Sequence, residues 1–171
     1  MQNINNKTKD ITKIGIFAAL IYLATFFLKI PSTNGYTHLG DAFIFLGVIL
    51  IGYNRGAFAG AIGGALSDLL GGYIEWNVPT FFIKAIMAII MGLFLEKFCK
   101  NSKFSWLIGA VLGGLFQIIA YTVFSIILFG SKAGIASIPG FCIQTICGLV
   151  FVTIFYILLD KTSSLEKLKK F

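Results

Sequence analysis

The amino-acid sequence predicts an all-α integral membrane protein, a single domain over residues 1–171 with six transmembrane helices. Hydrophobic residues make up 57% of the chain and charged residues only 12%, whereas soluble domains carry roughly 25% charged residues. Long apolar runs alternate with short polar segments along the chain, and the basic residues are concentrated in every second polar segment. Composition, run length and charge distribution therefore predict the same fold class.

The apolar runs are the predicted spans. The first run is stopped by Pro31, because proline removes a backbone donor. A spanning helix needs about 20 residues, with ~17 as the usual minimum, and the second, third and fourth runs fall slightly short. Either loop residues extend them, or they end inside the outer half of the bilayer and line a cavity. The predicted spans are residues 11–30, 39–53, 55–70, 80–95, 104–129 and 139–159.

Lysine and arginine residues predict that both chain termini are cytoplasmic. With that orientation, all but three of the 14 basic residues lie in inner segments, as the positive-inside rule requires. The exceptions are Lys29 and Lys132 in outer loops and Lys84 within the fourth span. The net charge of +7 thus reflects topology, so we expect the lipid bilayer and no nucleic acid as a partner. The expected location is the plasma membrane of a bacterium, as a multi-pass protein.

The third and fourth runs, with the segment between them, have the layout of a binding site. Gly56, Gly60 and Gly64 are four residues apart, a spacing that lets a neighbouring backbone approach closely in a membrane. Asp68 lies near the outer end of the third run, an aromatic loop is predicted next, and Lys84 lies about one turn inside the fourth run. An acid and a base therefore flank an aromatic segment.

Polar residues of the predicted spans converge on the outer half of the membrane, and almost none fall in the inner half. Gln117 and Tyr121, for example, are four residues apart on one face of the fifth span. A cavity open to the outside would explain this asymmetry. The candidate substrate-binding residues are His38, Asp41, Asp68, Tyr73, Trp76, Lys84, Gln117, Tyr121 and Gln144.

Several of these residues also have a simpler structural explanation. Asp41 could cap the second span, because acids favour a helix N-terminus, and Asp68 could be a solvated helix-end residue. Gln117 and Gln144 could be hydrogen-bond contacts between helices. His38 could be an ordinary loop residue, and the aromatic residues could form an interfacial belt.

Lys84 is the hardest of them to explain without a function, because a base inside a membrane is costly and is usually functional or paired. Three arrangements remain open from the sequence. Lys84 contacts a ligand, it pairs with Asp68 or Asp41, or its side chain reaches outward to the membrane interface.

Sequence motifs for catalysis are absent. The chain contains no G-x-x-x-x-G-K-[ST] motif, so it should not hydrolyse ATP itself. It has no H-E-x-x-H or G-x-S-x-G motif and only one histidine, and the spacing of Cys99, Cys142 and Cys147 does not fit a metal site. We therefore expect neither an enzyme nor a bound metal or cofactor.

Three segments resemble a known family: HLGDAFIFLGVILIG, AGAIGGALSDLLGGYIEW and PTFFIKAIMAIIMG. The match is carried by the Leu39-Gly40-Asp41-Ala42 pattern, the Ser-Asp-Leu-Leu-Gly-Gly-Tyr run ending at Tyr73 and the Ile83-Lys84 pair. The chain is similar to the S component, the substrate-capture subunit, of energy-coupling factor (ECF) vitamin transporters. The branch is the riboflavin type, which includes subunits associated with hydroxymethylpyrimidine and pyridoxine.

The resemblance implies a six-helix S-component bundle with an outward-facing vitamin pocket, closed by the loops after the first, third and fifth spans. It also implies a complex with a membrane T subunit and two ATPase subunits. S components present small residues of the first span to the T subunit, often as Ala-xxx-Ala. The nearest match here is Gly15-xxx-Ala19, with Ala18 beside it.

The leading hypothesis is a subunit that binds a small unphosphorylated heterocyclic vitamin outside and delivers it by toppling within the membrane, driven by the partner ATPases. Pyridoxine, hydroxymethylpyrimidine or a related heterocycle is the first choice, and riboflavin is the runner-up. A self-sufficient secondary carrier is the first alternative, and Lys84 with Asp68 is its candidate ion-coupling pair. A membrane enzyme is the second, and no nucleophile and base are recognisable for it.

Overall fold

The computed structural model describes residues 2–32, 35–162 and 164–170, and helices dominate these ranges. The helices are α1 Gln2–Phe27, α2 Gly40–Ile51, α3 Tyr53–Gly71, α4 Ile74–Leu93, α5 Ser105–Phe129, α6 Ser131–Lys161 and α7 Ser164–Lys170. Strands β1, Lys29–Ser32, and β2, Gly35–His38, follow α1, and a short π-helix, Phe94–Phe98, continues α4.

The two strands form an antiparallel hairpin, which corrects the all-α prediction. Lys29 pairs with His38, and Pro31 pairs with Tyr36. The first span was predicted to reach residue 30, but α1 ends at Phe27. Pro31 disfavours a helical conformation of the residue before it and favours an extended one, so the chain leaves the helix and turns back over the bundle.

Helix α3 packs closely against its neighbours, as the glycine spacing predicted. A Cβ atom on Gly63 would lie 2.6 Å from the carbonyl oxygen of Ala18 in α1, and one on Gly64 would lie 3.0 Å from the Thr80 side chain in α4. These distances leave no room for a larger residue, so the glycines bring α3 into contact with both helices.

Helices α4 and α6 begin earlier than the predicted starts at residues 80 and 139. Pro79 lies inside α4 and Pro139 lies inside α6. Proline is tolerated in membrane helices because neighbouring helices and side chains can compensate the lost backbone bond. The Asn77 side chain, for example, donates to the Ala65 carbonyl 2.9 Å away and ties the first turns of α4 to α3. The aromatic segment predicted as a loop is therefore mostly helical.

Among the described residues, four helical stretches are long and apolar enough to cross a membrane: Asn6–Phe27, Ile74–Phe98, Ser105–Phe129 and Ser131–Lys161. Helix α2 is apolar but short, and the glycine-rich α3 packs between α1, α2 and α4. Many large apolar side chains on the outer faces are exposed, as expected where lipid surrounds the bundle. The fold is thus that of a multi-pass membrane protein, and six spans remain a prediction that depends on α2 and α3.

Short connections bring alternate helix ends together. The hairpin lies beside the end of α3, the start of α4, the end of α5 and the start of α6, and we call this the hairpin end. Contacts between Tyr36 and Tyr73, with ring centroids 4.7 Å apart, and between Trp76 and Phe129, 5.9 Å apart, join these segments. The opposite end carries the ion pair of Arg55 and Asp10, at 2.8 Å.

Candidate functional site

A small cavity of about 40 Å³ lies at the hairpin end, between the hairpin and the helices. A single water needs roughly 10–15 Å³ by the same kind of measure, so the cavity is narrow. Its lining comes from the hairpin and from α3, α4, α5 and α6. The lining residues are Tyr36, Thr37, His38, Asp68, Trp76, Thr80, Tyr121, Ser137, Phe141 and Gln144.

Aromatic rings form one wall of the cavity. The rings of Tyr121 and Phe141 are stacked, with centroids 5.4 Å apart. Trp76 meets Tyr121 edge-on at 5.7 Å and Phe141 edge-on at 6.4 Å. Such a wall can bind a flat ring by offset stacking or edge contact.

Two buried polar atoms in the cavity lining lack hydrogen bonds within the described residues: Asp68 Oδ2 and Trp76 Nε1. The Thr80 hydroxyl accepts a hydrogen bond from Tyr121 at 3.2 Å and is a hydrogen-bonding neighbour of the Asp68 carboxylate. An unpaired buried polar atom costs about 1–3 kcal/mol, so native proteins rarely keep one without a water or ligand to satisfy it. The two atoms therefore offer one acceptor and one donor to a bound molecule.

The hairpin is held over the cavity by Tyr36. Its hydroxyl donates to Asp68 Oδ1 at 2.6 Å, and burial, with the Asp68 carboxylate beside it, raises the pKa of Tyr36 well above its usual value. The Lys29 ammonium lies 4.6 Å from the Phe26 ring centroid and 5.4 Å from that of Tyr36. Tyr73, a predicted site residue, packs against Tyr36 and is not part of the cavity lining.

His38 is buried at the end of β2 and lines the cavity. Its Nδ1 accepts a hydrogen bond from the backbone N–H of Gly40 at 3.1 Å. Burial, and secondarily the positive charge of Lys84, lowers the pKa of His38 to about 3. The imidazole is therefore neutral near pH 7, and because Nδ1 is the acceptor, Nε2 carries the proton.

A buried hydrogen-bond network lies behind the cavity wall and reaches the cavity through Gln144. Its members are Asp41, Lys84, Gln117, Gln144 and Thr145. Lys84 Nζ lies 2.5 Å from Asp41 Oδ1, and both side chains are 0% exposed. Lys84 Nζ also donates to Gln117 Oε1 at 2.7 Å. Gln117 Nε2 donates to Asp41 Oδ2 and to Thr145 Oγ1, each at 2.7 Å, and Gln144 Nε2 donates to Asp41 Oδ2 at 3.0 Å.

In the network, Lys84 adopts one of the three arrangements that the sequence left open, an ion pair with an acid. A fully buried ammonium does not reach the membrane interface, and its ion-pair partner is Asp41 and not Asp68. Neither residue is part of the cavity lining. A buried ion pair of this kind is tolerated because further hydrogen bonds satisfy both partners.

The predicted site residues thus fall into two groups. Five of them line the cavity, whereas Asp41, Lys84 and Gln117 lie behind its wall and Tyr73 lies beside the hairpin. The five are His38, Asp68, Trp76, Tyr121 and Gln144.

Sequence reasoning missed Tyr36, Thr37, Thr80, Ser137 and Phe141, which also line the cavity. Helical spacing could have found three of them. Thr80 follows Trp76 by four positions on α4. On α6, Phe141 precedes Gln144 by three positions and Ser137 precedes it by seven. Each of the three therefore lies on the same helix face as a predicted site residue.

The small residues of α1 face in two directions. Gly15 and Ala19 are exposed, four residues apart on one face. Ala18 is buried against α3, where its carbonyl meets Gly63. Ala18 therefore does not share the exposed face of Gly15 and Ala19, because one step along a helix rotates a residue by about 100°, and docking of a partner on α1 stays a prediction.

Comparisons with known proteins agree with the resemblance seen in the sequence. The chain is 24% identical over 169 residues to the thiamine precursor transporter HmpT of Lactococcus lactis, covering 97% of this chain and 96% of that protein. It is 32% identical over 123 residues to an uncharacterized Pyrococcus woesei protein, covering 72% of this chain and 81% of that one.

The fold is similar to that of ThiT from Listeria monocytogenes, with a TM-score of 0.67, 19% identity and coverage of 94% of this chain and 98% of ThiT. Residues 5–161 match the family of the ECF-type riboflavin transporter, S component. This match confirms the predicted family. The chain belongs to the family of ECF-type riboflavin transporter S components, which are transport proteins and not enzymes.

Proposed function

We propose that this chain is the substrate-capture subunit of an ECF-type importer and binds a small, unphosphorylated heterocyclic vitamin or vitamin precursor in the cavity at the hairpin end. A pyridoxine-like or hydroxymethylpyrimidine-like ring is the preferred substrate, and riboflavin is the runner-up. The observation that carries the proposal is the pair of unsatisfied polar atoms, Asp68 Oδ2 and Trp76 Nε1, beside an aromatic wall. The relative HmpT, a thiamine precursor transporter, supports a small heterocycle.

The charge of the lining favours a ligand without a phosphate. Asp68 is the one formally charged residue among the described lining residues, and it is an acid. The ammonium of Lys84 is bonded to Asp41 and Gln117 behind the wall. A phosphate would therefore meet a carboxylate without a compensating cation.

The hairpin end is the outer end in this proposal. The described residues there carry only Lys29 and Lys132 as basic residues, whereas most of the others lie toward the opposite end, as the positive-inside rule requires. A membrane T subunit would pack on α1, and two ATPase subunits would supply the energy. The host membrane is the plasma membrane of a bacterium.

The secondary-carrier hypothesis loses its candidate coupling pair. It required Lys84 to act with Asp68, but Lys84 is paired with Asp41 in a buried network. Substrate accumulation by proteoliposomes that contain this chain alone would nevertheless support a carrier. Under our proposal, accumulation needs the T subunit, the ATPase subunits and ATP.

Tryptophan fluorescence tests the binding site directly, because the chain has only two tryptophans. Trp76 lines the cavity, whereas Trp106 stacks on Tyr156 outside it, with centroids 4.5 Å apart. We expect hydroxymethylpyrimidine, pyridoxine or riboflavin to change the emission of the Trp106→Phe variant in a saturable way. Mass spectrometry of ligand that co-purifies with the protein would identify the natural substrate.

The Trp76→Phe variant is the matched control. It keeps Trp106 as a reporter outside the cavity, so its emission should not respond to the same compounds. A response of equal size in both variants would place the binding site elsewhere. No response to any member of the panel in Trp106→Phe would contradict the proposal.

A further inference from the structure

We propose that Asp41, Lys84 and Gln117 together act as a positioning unit that holds the Gln144 amide with its carbonyl toward the cavity. The site then selects ligands that present an N–H or O–H donor at this position. The inference rests on the proposed function of the cavity and specifies its chemistry.

The first step is the orientation of Gln144. An ionised carboxylate only accepts hydrogen bonds, so the atom of Gln144 that lies 3.0 Å from Asp41 Oδ2 must be the amide nitrogen. The side chain lines the cavity, and its hydrogen bond to Asp41 uses Nε2 and leaves Oε1 free to turn toward the cavity. The carbonyl oxygen is therefore the polar atom that Gln144 has available for a ligand.

The second step is the rigidity of the network. Lys84 has donors only, so Gln117 must turn Oε1 toward Lys84, at 2.7 Å. Gln117 Nε2 then faces Asp41 and Thr145, at 2.7 Å each. Rotation of one amide would place two donors or two acceptors against each other in a buried site, which is costly. Lys84 thus determines the orientation of the Gln117 amide, and the Asp41 carboxylate determines that of the Gln144 amide.

The third step is the pattern that a ligand meets. The acceptors are Gln144 Oε1 and Asp68 Oδ2, and the donors are Trp76 Nε1–H and His38 Nε2–H. An aminopyrimidine carries an exocyclic amino donor beside a ring-nitrogen acceptor. The corresponding pyrimidinone carries a carbonyl acceptor beside a ring N–H, which is the reverse pattern.

The probes are therefore 4-amino-5-hydroxymethyl-2-methylpyrimidine and its 4-oxo analogue, with affinities measured by calorimetry. The wild-type chain should prefer the amino compound by about tenfold or more, because the 4-oxo group would set an acceptor against the Gln144 carbonyl oxygen where the 4-amino group donates a hydrogen bond.

The Asp41→Asn variant tests the positioning unit. Lys84 still requires an acceptor, so the introduced amide turns its oxygen toward Lys84 and its nitrogen toward Gln144 and Gln117. Gln117 Nε2 then loses one acceptor but keeps Thr145 Oγ1. Gln144 must then rotate and present its NH₂ group to the cavity. The preference for the amino compound should fall at least tenfold or reverse.

The Asp41→Asn/Lys84→Met double variant separates positioning from general damage. Without the ammonium, the introduced amide can turn its oxygen back toward Gln144, so the preference for the amino compound should return. Asp10→Asn is the matched control, because it makes the same chemical change in an ion pair at the opposite end. It should keep the wild-type preference.

Each outcome decides the inference. The inference is overturned if folded Asp41→Asn keeps the wild-type preference for the amino compound. It is also overturned if the Asp41→Asn/Lys84→Met variant does not regain that preference. If Asp41→Asn does not fold, Gln144→Met decides instead, because it removes both amide atoms and should abolish the discrimination. If neither pyrimidine binds the wild-type chain, the inference is also overturned. The proposed function would still stand if another vitamin changed the Trp76 fluorescence of the Trp106→Phe variant.

Discussion

Burial decides the protonation state of His38, and this single residue links the hairpin to the first turn of α2. The backbone N–H of Gly40 requires an acceptor on the imidazole, and the buried position disfavours the charged ring. A neutral imidazole keeps its Nε2–H as a donor at the cavity. The neutral ring can therefore donate a hydrogen bond from Nε2 but not from Nδ1.

The first prediction concerns acid sensitivity. The pKa of His38 is about 3 in the folded chain and 6.5 when unperturbed. Between these values the unfolded chain binds a proton and the folded chain does not, so stability is greatest above pH ~6.5 and falls as the pH is lowered. From about pH 7 to pH 5 this group alone should cost about 2 kcal/mol, seen as a lower thermal unfolding temperature in detergent.

The His38→Asn variant is the control for acid sensitivity. Its side-chain oxygen can still accept from the Gly40 N–H, as in an Asx turn, but it does not titrate. The unfolding temperature of this variant should fall less than that of the wild-type chain over the same pH range. Parallel curves would remove His38 as the cause.

Helix α1 has two faces with different roles. One face carries Ala18 and packs against α3, and the other exposes Gly15 and Ala19. Small exposed residues four apart allow another membrane helix to approach closely. At the level of the element, α1 can therefore belong to the bundle and to a partner interface at once.

The second prediction concerns this exposed face. Ala19→Trp should abolish uptake in cells that express the complete ECF module, because the indole would block close approach of the T subunit. Vitamin binding by the isolated subunit should stay within about twofold, since Ala19 lies outside the cavity lining. Uptake assays and calorimetry on the same variant measure the two effects.

Leu20→Trp is the matched control on α1. Leu20 is also exposed, but it lies about 100° around the helix from Ala19 and is already bulky. It should retain uptake. A loss of binding in Ala19→Trp would instead make this face part of the core or the cavity.

The two ends of the whole molecule differ in charge and in construction. The hairpin end encloses an aromatic, polar cavity, whereas the opposite end carries most of the basic residues and the ion pair of Arg55 and Asp10. In a membrane this asymmetry sets the orientation, because inner segments retain the positive charge.

The third prediction tests that orientation. In a background without Cys99, Cys142 and Cys147, a cysteine at Lys132 should react with a membrane-impermeant maleimide added outside intact cells. A cysteine at Asn101 should react only after the membrane is opened. Both positions are exposed, so burial does not limit labelling. The reverse pattern would place the hairpin end in the cytoplasm.

The sequence by itself determined the membrane class, the family and the approximate position of the cavity. Low charge and repeated apolar runs follow from the hydrocarbon environment, so composition and periodicity reveal them without a structure. Asp68, Tyr121 and Gln144 could be placed near a common depth because a helix rises by a constant 1.5 Å per residue. That rule orders residues along the membrane but not around each helix.

Only the tertiary structure decided which of these groups contact each other. Asp41 and Asp68 were equally plausible partners of Lys84 by depth, but the rotation and spacing of the helices bring Asp41 within bonding distance. The same packing turns Ala18 inward and leaves Ala19 exposed. Partner choice depends on distances of a few ångströms between residues that are far apart in the chain, and close packing of several helices sets those distances.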